Sequence, residues 1–224
     1  MRSFCQRALG RTVYNGLQQD AAATGLPFGS PPSKNPVVSG IVYFDLETQR
    51  SFSDVGGAAN KDKMGVSVGV TFSTETGKYH IYGEDQMDAL VEQLVKADLV
   101  VGYNHISFDY PVLQGYTIYD LVNQTVNCDM LVEIEKILGH RLKLDSVASA
   151  TLGIGKTADG LDALRWWQKY KKTGDIEHLM NIAEYCCYDV KVTKEVYEYG
   201  LKHGVLKYDD RGGHTQEMTV TWSQ

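Results

Sequence analysis

Gly40-Ile-Val-Tyr-Phe-Asp-Leu-Glu-Thr48 sets two carboxylates, Asp45 and Glu47, directly after an apolar run. Such a run reads as a buried strand, and residues two apart on a strand project from one face. The two acids can therefore converge on one point, where they repel unless a proton or a cation separates them. A hard divalent ion with oxygen ligands resolves the conflict; the alternative is a strand end carrying two solvated acids. Two further stretches bring more acid. Asn104-His-Ile-Ser-Phe-Asp-Tyr-Pro places Asp109 at the start of a helix beyond the C-terminal end of a strand, the edge where α/β sheets gather ligands. Tyr185-Cys-Cys-Tyr-Asp189 puts a phenol and a carboxylate at i and i+4, one above the other on a helix face.

The elements that must position these groups follow from periodicity. After the Asp45 strand, Gln49 to Lys63 is polar and Gly-rich and reads as an exposed loop. Met64–Ser73 and Lys78–Tyr82 read as strands joined by the turn Thr74-Glu-Thr-Gly. Glu84–Lys96 carries Met87, Leu90, Val91 and Leu94 at helical spacing, with acids at its start. Ala97–Gly102 is a fourth strand, a helix is predicted from near Ser107, and Gln124–Cys128 is a fifth strand ahead of the helix Met130–Leu138. Leu142–Leu152 and Leu161–Tyr170 read as helices around a Gly-rich loop. Asp175 caps a helical stretch running, with room for a break, to Gly200. The tail from Val205 to Trp222 is a small hairpin with a Gly-Gly turn. Strands in hairpin order followed by alternating helices and strands predict an α/β fold with a mixed sheet flanked by helices.

Composition narrows the function classes. The 224 residues are 43% hydrophobic and 22% charged, ordinary for one globular domain with a core. No apolar segment approaches the roughly 20 residues of a membrane span. The four cysteines form no Cys-x-x-Cys pair and suit a reducing compartment, with the cytoplasm expected. A net charge of -6 argues against a protein that coats nucleic acid, but not against a nuclease, whose acidic site is neutralised by its ions. Residues 1–36 read as an extension and linker packed on a domain spanning 37–224. Arg2, Arg7 and Arg11 precede the first acid, Asp20, so an organelle transit peptide is the alternative for that segment.

Phe44-Asp-Leu-Glu-Thr, Gly102-Tyr-Asn-His-Ile-Ser-Phe-Asp and Tyr185-Cys-Cys-Tyr-Asp, in that order, resemble the three motifs of the DEDD 3′-5′ exonucleases, whose fold is RNase H-like. Tyr185, four residues before Asp189, matches the DEDDy branch; the sister branch has a histidine five residues before, where this chain has Glu184. The second motif is similar to that of the proofreading domain of family B DNA polymerases. The stretch Lys156 to Trp167 and the final hairpin look more like bacterial exonucleases found free-standing or beside DEAD/DEAH-box helicases.

The resemblance implies a five-stranded mixed sheet and a metal-dependent 3′-5′ exonuclease acting on single-stranded nucleic acid, DNA before RNA, to release nucleoside 5′-monophosphates. It implies two divalent ions, Mg²⁺ or Mn²⁺, which can serve both ends of an in-line displacement. Asp45 would bridge both, Glu47 and Asp189 would hold the ion that activates water, and Asp109 would help position the other. Tyr185 would orient that water more than deprotonate it, since a phenol of reference pKa about 10 is a poor base at neutral pH. The expected partners are a single-stranded 3′ end and a DEAD/DEAH-box helicase, with no membrane. The rival reading is a catalytically silent nucleic-acid-binding or helicase-docking module of the same fold.

Other residues are open between two roles. Leu46 and Thr48 flank the acids and, by the resemblance, touch the terminal nucleotide, although Leu46 equally suits the core. Asn104 either bonds near the scissile group or stabilises its turn, and Phe108 either stacks on a base or packs inside. Lys156, in a Gly-flanked loop, is a candidate phosphate contact. At least one of Trp166 and Trp167 belongs to the core. Asp129 also follows a strand but matches no motif and reads as structural.

Overall fold

Alternation along the first strand decides the architecture. The computed structural model describes residues 40–154 and 160–222, which belong to one compact unit; the expected extension over 1–36 lies outside the described residues. Strand β1 (Ile41–Thr48) turns Val42, Phe44 and Leu46 into one apolar cluster and Tyr43 into another on the opposite face of the sheet. β2 (Val66–Ser73) and β3 (Lys78–Tyr82) continue antiparallel, whereas β4 (Leu99–Gly102) and β5 (Asn127–Asp129) run parallel to β1. The order β3-β2-β1-β4-β5 makes β1 the central strand of the predicted five-stranded mixed sheet.

The register of β1 on β2 shifts between Glu47 and Thr48, where Glu47 pairs with Val68 but Thr48 pairs with Val66. Ser67 falls between, and its hydroxyl donates to the Glu47 carbonyl at 3.0 Å. A one-residue slip exchanges faces, so Val66 joins the cluster of Val42 and Phe44 while Val68 and Val70 join that of Tyr43. Pairing on the acidic face thus ends where the acids end.

Helix α1 (Met87–Lys96) buries Met87, Leu90, Val91 and Leu94 against one side of the sheet. After β4 come two short helices, α2 (Asp109–Leu113) and α3 (Leu121–Gln124), then α4 (Met130–Leu138) and α5 (Leu144–Leu152). The helices α6 (Gly160–Thr173) and α7 (Ile176–His203) pack on each other, and α7 crosses the face of the sheet opposite α1. Asp175 caps α7 as expected, accepting from the Glu177 amide at 3.0 Å. Buried positions at Ile182, Ala183, Cys186, Val190, Thr193, Tyr197 and Gly200 keep helical spacing along an element with no break. The final hairpin, β6 (Val205–Asp209) and β7 (Thr215–Thr219), puts Leu206 and Met218 into the α7 core. Trp222 stacks on Tyr197 at 5.8 Å and lies where a Cβ at Gly200 would stand, so only glycine admits the indole there.

Several boundaries differ from expectation for local reasons. The fifth strand begins at Asn127, because Asp120 caps Leu121–Gln124 into a helical turn through its side chain and the Asn123 amide. The expected loop after β1 contains a 3-10 turn at Ala58–Lys63, and Glu84–Gln86 is 3-10 before α1 begins. The second-motif helix starts at Asp109 rather than Ser107, after tight Asn104–Phe108 turns.

Candidate metal centre

Asp45 and Glu47 share the β1 face that meets α7, while Tyr185, Cys186 and Asp189 face them from α7's middle. Carboxylate oxygens of Asp45, Glu47 and Asp189 all lie within 4.8 Å of one another, the one such cluster among the described residues. All three side chains are half-buried. The Asp45 carboxyl stands well above the ordinary carboxylate range, first through desolvation and then through the charges of Asp109, Asp189 and Glu47. Glu47 is raised in the same way, by desolvation and then by Asp189 and Asp109. Asp189 is pushed up to about 7 by desolvation, with the Tyr185 hydroxyl opposing and Asp145 adding to the rise. Crowding acids in a partly dry site favours a proton or a cation between them, and an all-oxygen donor set of this kind suits a hard divalent ion.

Asp109 is 3% exposed, and its Oδ1 has no hydrogen-bond partner. Its charge acts on both Asp45 and Glu47, yet it stands outside the 4.8 Å group. Burial raises its carboxyl to about 8, with the Asp129 charge adding and the backbone amides of Asp109 and Leu46 opposing. A buried carboxylate oxygen without a donor and next to two acids fits a ligand or a water-bridged contact to an ion.

Tyr185 donates its hydroxyl to the Asp189 carboxylate, and burial together with Asp189, Glu47 and Asp45 drives its pKa above the ordinary phenol value. It therefore stays protonated at neutral pH and serves as a donor. Trp166 of α6 meets its ring edge-on at 6.5 Å, so one indole of the Trp166-Trp167 pair braces the site. The Cys186 thiol donates to the Asp45 carboxylate at 3.5 Å and lies 3.4 Å from the Asp45 carbonyl.

The remaining candidates separate. Leu46 is 4% exposed inside the apolar cluster of β1 and α1. Thr48 is buried and donates to the Arg50 carbonyl at 3.0 Å. Asn104 adopts a left-handed backbone at φ 72° and its side-chain oxygen accepts from Arg141. Phe108 is half-buried and meets the exposed Phe52 edge-on at 5.8 Å, an aromatic pair beside the second motif. Lys156 lies outside the described residues.

Three neighbours of the acids carry no motif: Asp145, Trp166 and Asp129. Asp145 and Trp166 reach the site only because α5 and α6 pack beside α7. Asp129 had a local signal, an acid directly before an apolar helix, which is the N-cap pattern.

Comparison with known proteins agrees with this fold. A family model named RNase_H_2, of the RNase_H superfamily, matches residues 42–200, taking in β1, the turn before α2 and most of α7. No curated protein matches the chain.

Proposed function

The chain belongs to the RNase H superfamily, and from that premise we propose that it is a DEDDy-type 3′-5′ exonuclease releasing nucleoside 5′-monophosphates from single-stranded ends, DNA before RNA. The observation that carries the reading is the convergence of Asp45, Glu47 and Asp189 within 4.8 Å, with the Tyr185 hydroxyl donated to Asp189. Asp45, Glu47 and Asp189 would hold divalent ions, Mg²⁺ or Mn²⁺, with Asp109 positioning a second one. Bound there, such ions supply an activated water and neutralise charge on the phosphate and leaving oxygen.

The chain's own residues do the rest. Tyr185, kept protonated, fixes the rotamer of Asp189 and offers its oxygen to orient a water beside the cluster. Asp45 is anchored on the central strand, with Cys186 donating to it, so its carboxylate is held in one orientation toward Glu47 and Asp189. Removing the acids should remove turnover without unfolding the protein.

Polarity tests the reaction class. A 3′-labelled strand should lose its label at once as a mononucleotide, while a 5′-labelled strand shortens through a ladder. Cleavage of circular single-stranded DNA would show an endonuclease and overturn the proposal. Matched DNA and RNA strands would decide sugar preference, which rests on contacts to the 2′-OH.

A further inference from the structure

Asp129 ends β5 and is 3% exposed. Its Oδ1 accepts from the Asn104 amide at 2.7 Å, the Leu131 amide at 3.1 Å and the Val132 amide at 3.4 Å. Its Oδ2 accepts from the Ile106 amide at 3.0 Å. One carboxylate thus caps α4 through Leu131 and Val132 and, with its other contacts, grips the Asn104–Ile106 turn that leads into Asp109. The turn also carries a strained residue. Asn104 is the one non-glycine among the described residues with a left-handed backbone, a conformation that costs free energy unless surrounding bonds impose it.

Beneath the turn, His105 is fully buried, with Nε2 3.1 Å from Asn127 Oδ1, an atom that also accepts from the Tyr110 hydroxyl at 2.7 Å. Its Nδ1 stands 2.7 Å from where a Cβ at Gly102 would be. The turn therefore rests on a packed polar base and is held from β5 by two side chains, Asn127 at the His105 ring and Asp129 at the backbone amides of Asn104 and Ile106.

We propose that Asp129 is a positioning residue for Asp109: its two oxygens set the backbone of the Asn104–Ile106 turn and so the placement of the Asp109 carboxylate beside Asp45 and Glu47. This rests on the metal-dependent nuclease reading above. Only a carboxylate accepts on both sides. In Asp129→Asn the amide oxygen can keep the three bonds of Oδ1, including the α4 cap, but the amide nitrogen then faces the Ile106 N–H, donor against donor. That variant disturbs the turn and spares the cap.

The experiment is a double-mutant cycle on the full chain with Asp129→Asn, Asp109→Ala and the pair, reading Mn²⁺ affinity by titration calorimetry, with single-turnover cleavage compared between the parent and Asp129→Asn. Residues behind metal ligands typically account for about 10- to 100-fold in affinity or activity. Asp129→Asn should weaken Mn²⁺ binding and slow cleavage within that range, and in the Asp109→Ala background it should weaken Mn²⁺ binding no further. Full additivity in the cycle, or parent-like binding and turnover in Asp129→Asn, would overturn the proposal. In the parent, the Asn104 and Ile106 amides should be protected from hydrogen exchange; exchange at exposed-loop rates would overturn it even where the variant fails to fold. Loss of the underlying reading looks different: Asp45→Ala would then bind Mn²⁺ and cut as the parent does.

Discussion

Desolvation and mutual repulsion both favour the protonated forms of the clustered acids, Asp109 at about 8 and Asp189 at about 7 against an ordinary 3.8. Between those limits the folded state binds more protons than the unfolded chain, so stability falls as pH rises. In a chelator, the melting temperature should therefore drop from about pH 4 through about pH 8, and Asp109→Asn should flatten the upper part of that slope. Scanning calorimetry in EDTA checks this; a melting temperature that climbs over the same window would show that the acids are not crowded as described. A second expectation concerns Tyr185. Positioned acid-base groups contribute about 10²- to 10⁴-fold, and a phenol held protonated acts as a donor. Tyr185→Phe should keep Mn²⁺ affinity and slow single turnover by roughly 10²-fold, the low end, with the pH profile unchanged in shape. A limb of the profile that vanishes with the hydroxyl would make the phenol the base.

Helix α7 does two tasks along one element. Its middle presents Tyr185, Cys186 and Asp189 to β1, and its end receives the hairpin through Gly200 and Trp222. At 1.5 Å per residue, Asp189 and Gly200 lie about 16 Å apart along the axis. A methyl group at Gly200 must displace the indole, and overpacking of this kind costs about 1–3 kcal/mol. Gly200→Ala should lower the urea midpoint accordingly while leaving Mn²⁺ affinity at the parent value. A matched loss of affinity would mean that the hairpin lock sets the site. The bulge opposite Glu47 belongs to the same scale, because it ends the pairing of the acidic face and returns Val66 to the other core.

At the level of the molecule, a net charge of -6 and an acidic site oppose a polyanionic strand until cations load. Binding of single-stranded DNA should therefore be weak in chelator and strengthen with Mn²⁺, as fluorescence anisotropy would show. Loading is also linked to folding: an ion at 100 times its Kd stabilises by about 2.7 kcal/mol. Asp45→Ala relieves repulsion and should melt at or above the parent in EDTA, yet gain little from Mn²⁺. A variant that gained as much as the parent would remove Asp45 from the metal centre.

Local periodicity by itself placed Asp45 and Glu47 on one strand face and Tyr185 and Asp189 on one helix face, since periods of 2 and 3.6 are properties of adjacent residues. It also gave the mixed sheet, the Asp175 cap and the final hairpin, each marked by nearby residue types. Only the tertiary structure decided which faces meet. The distance from Asp189 to Asp45 depends on how α7 crosses β1, and the isolation of Asp109 Oδ1 depends on a turn clamped from β5. Trp166 against Tyr185, Cys186 on Asp45 and the charge of Asp145 near Asp189 likewise arise between elements far apart in the chain. No short-range pattern records such contacts, because packing rather than spacing makes them.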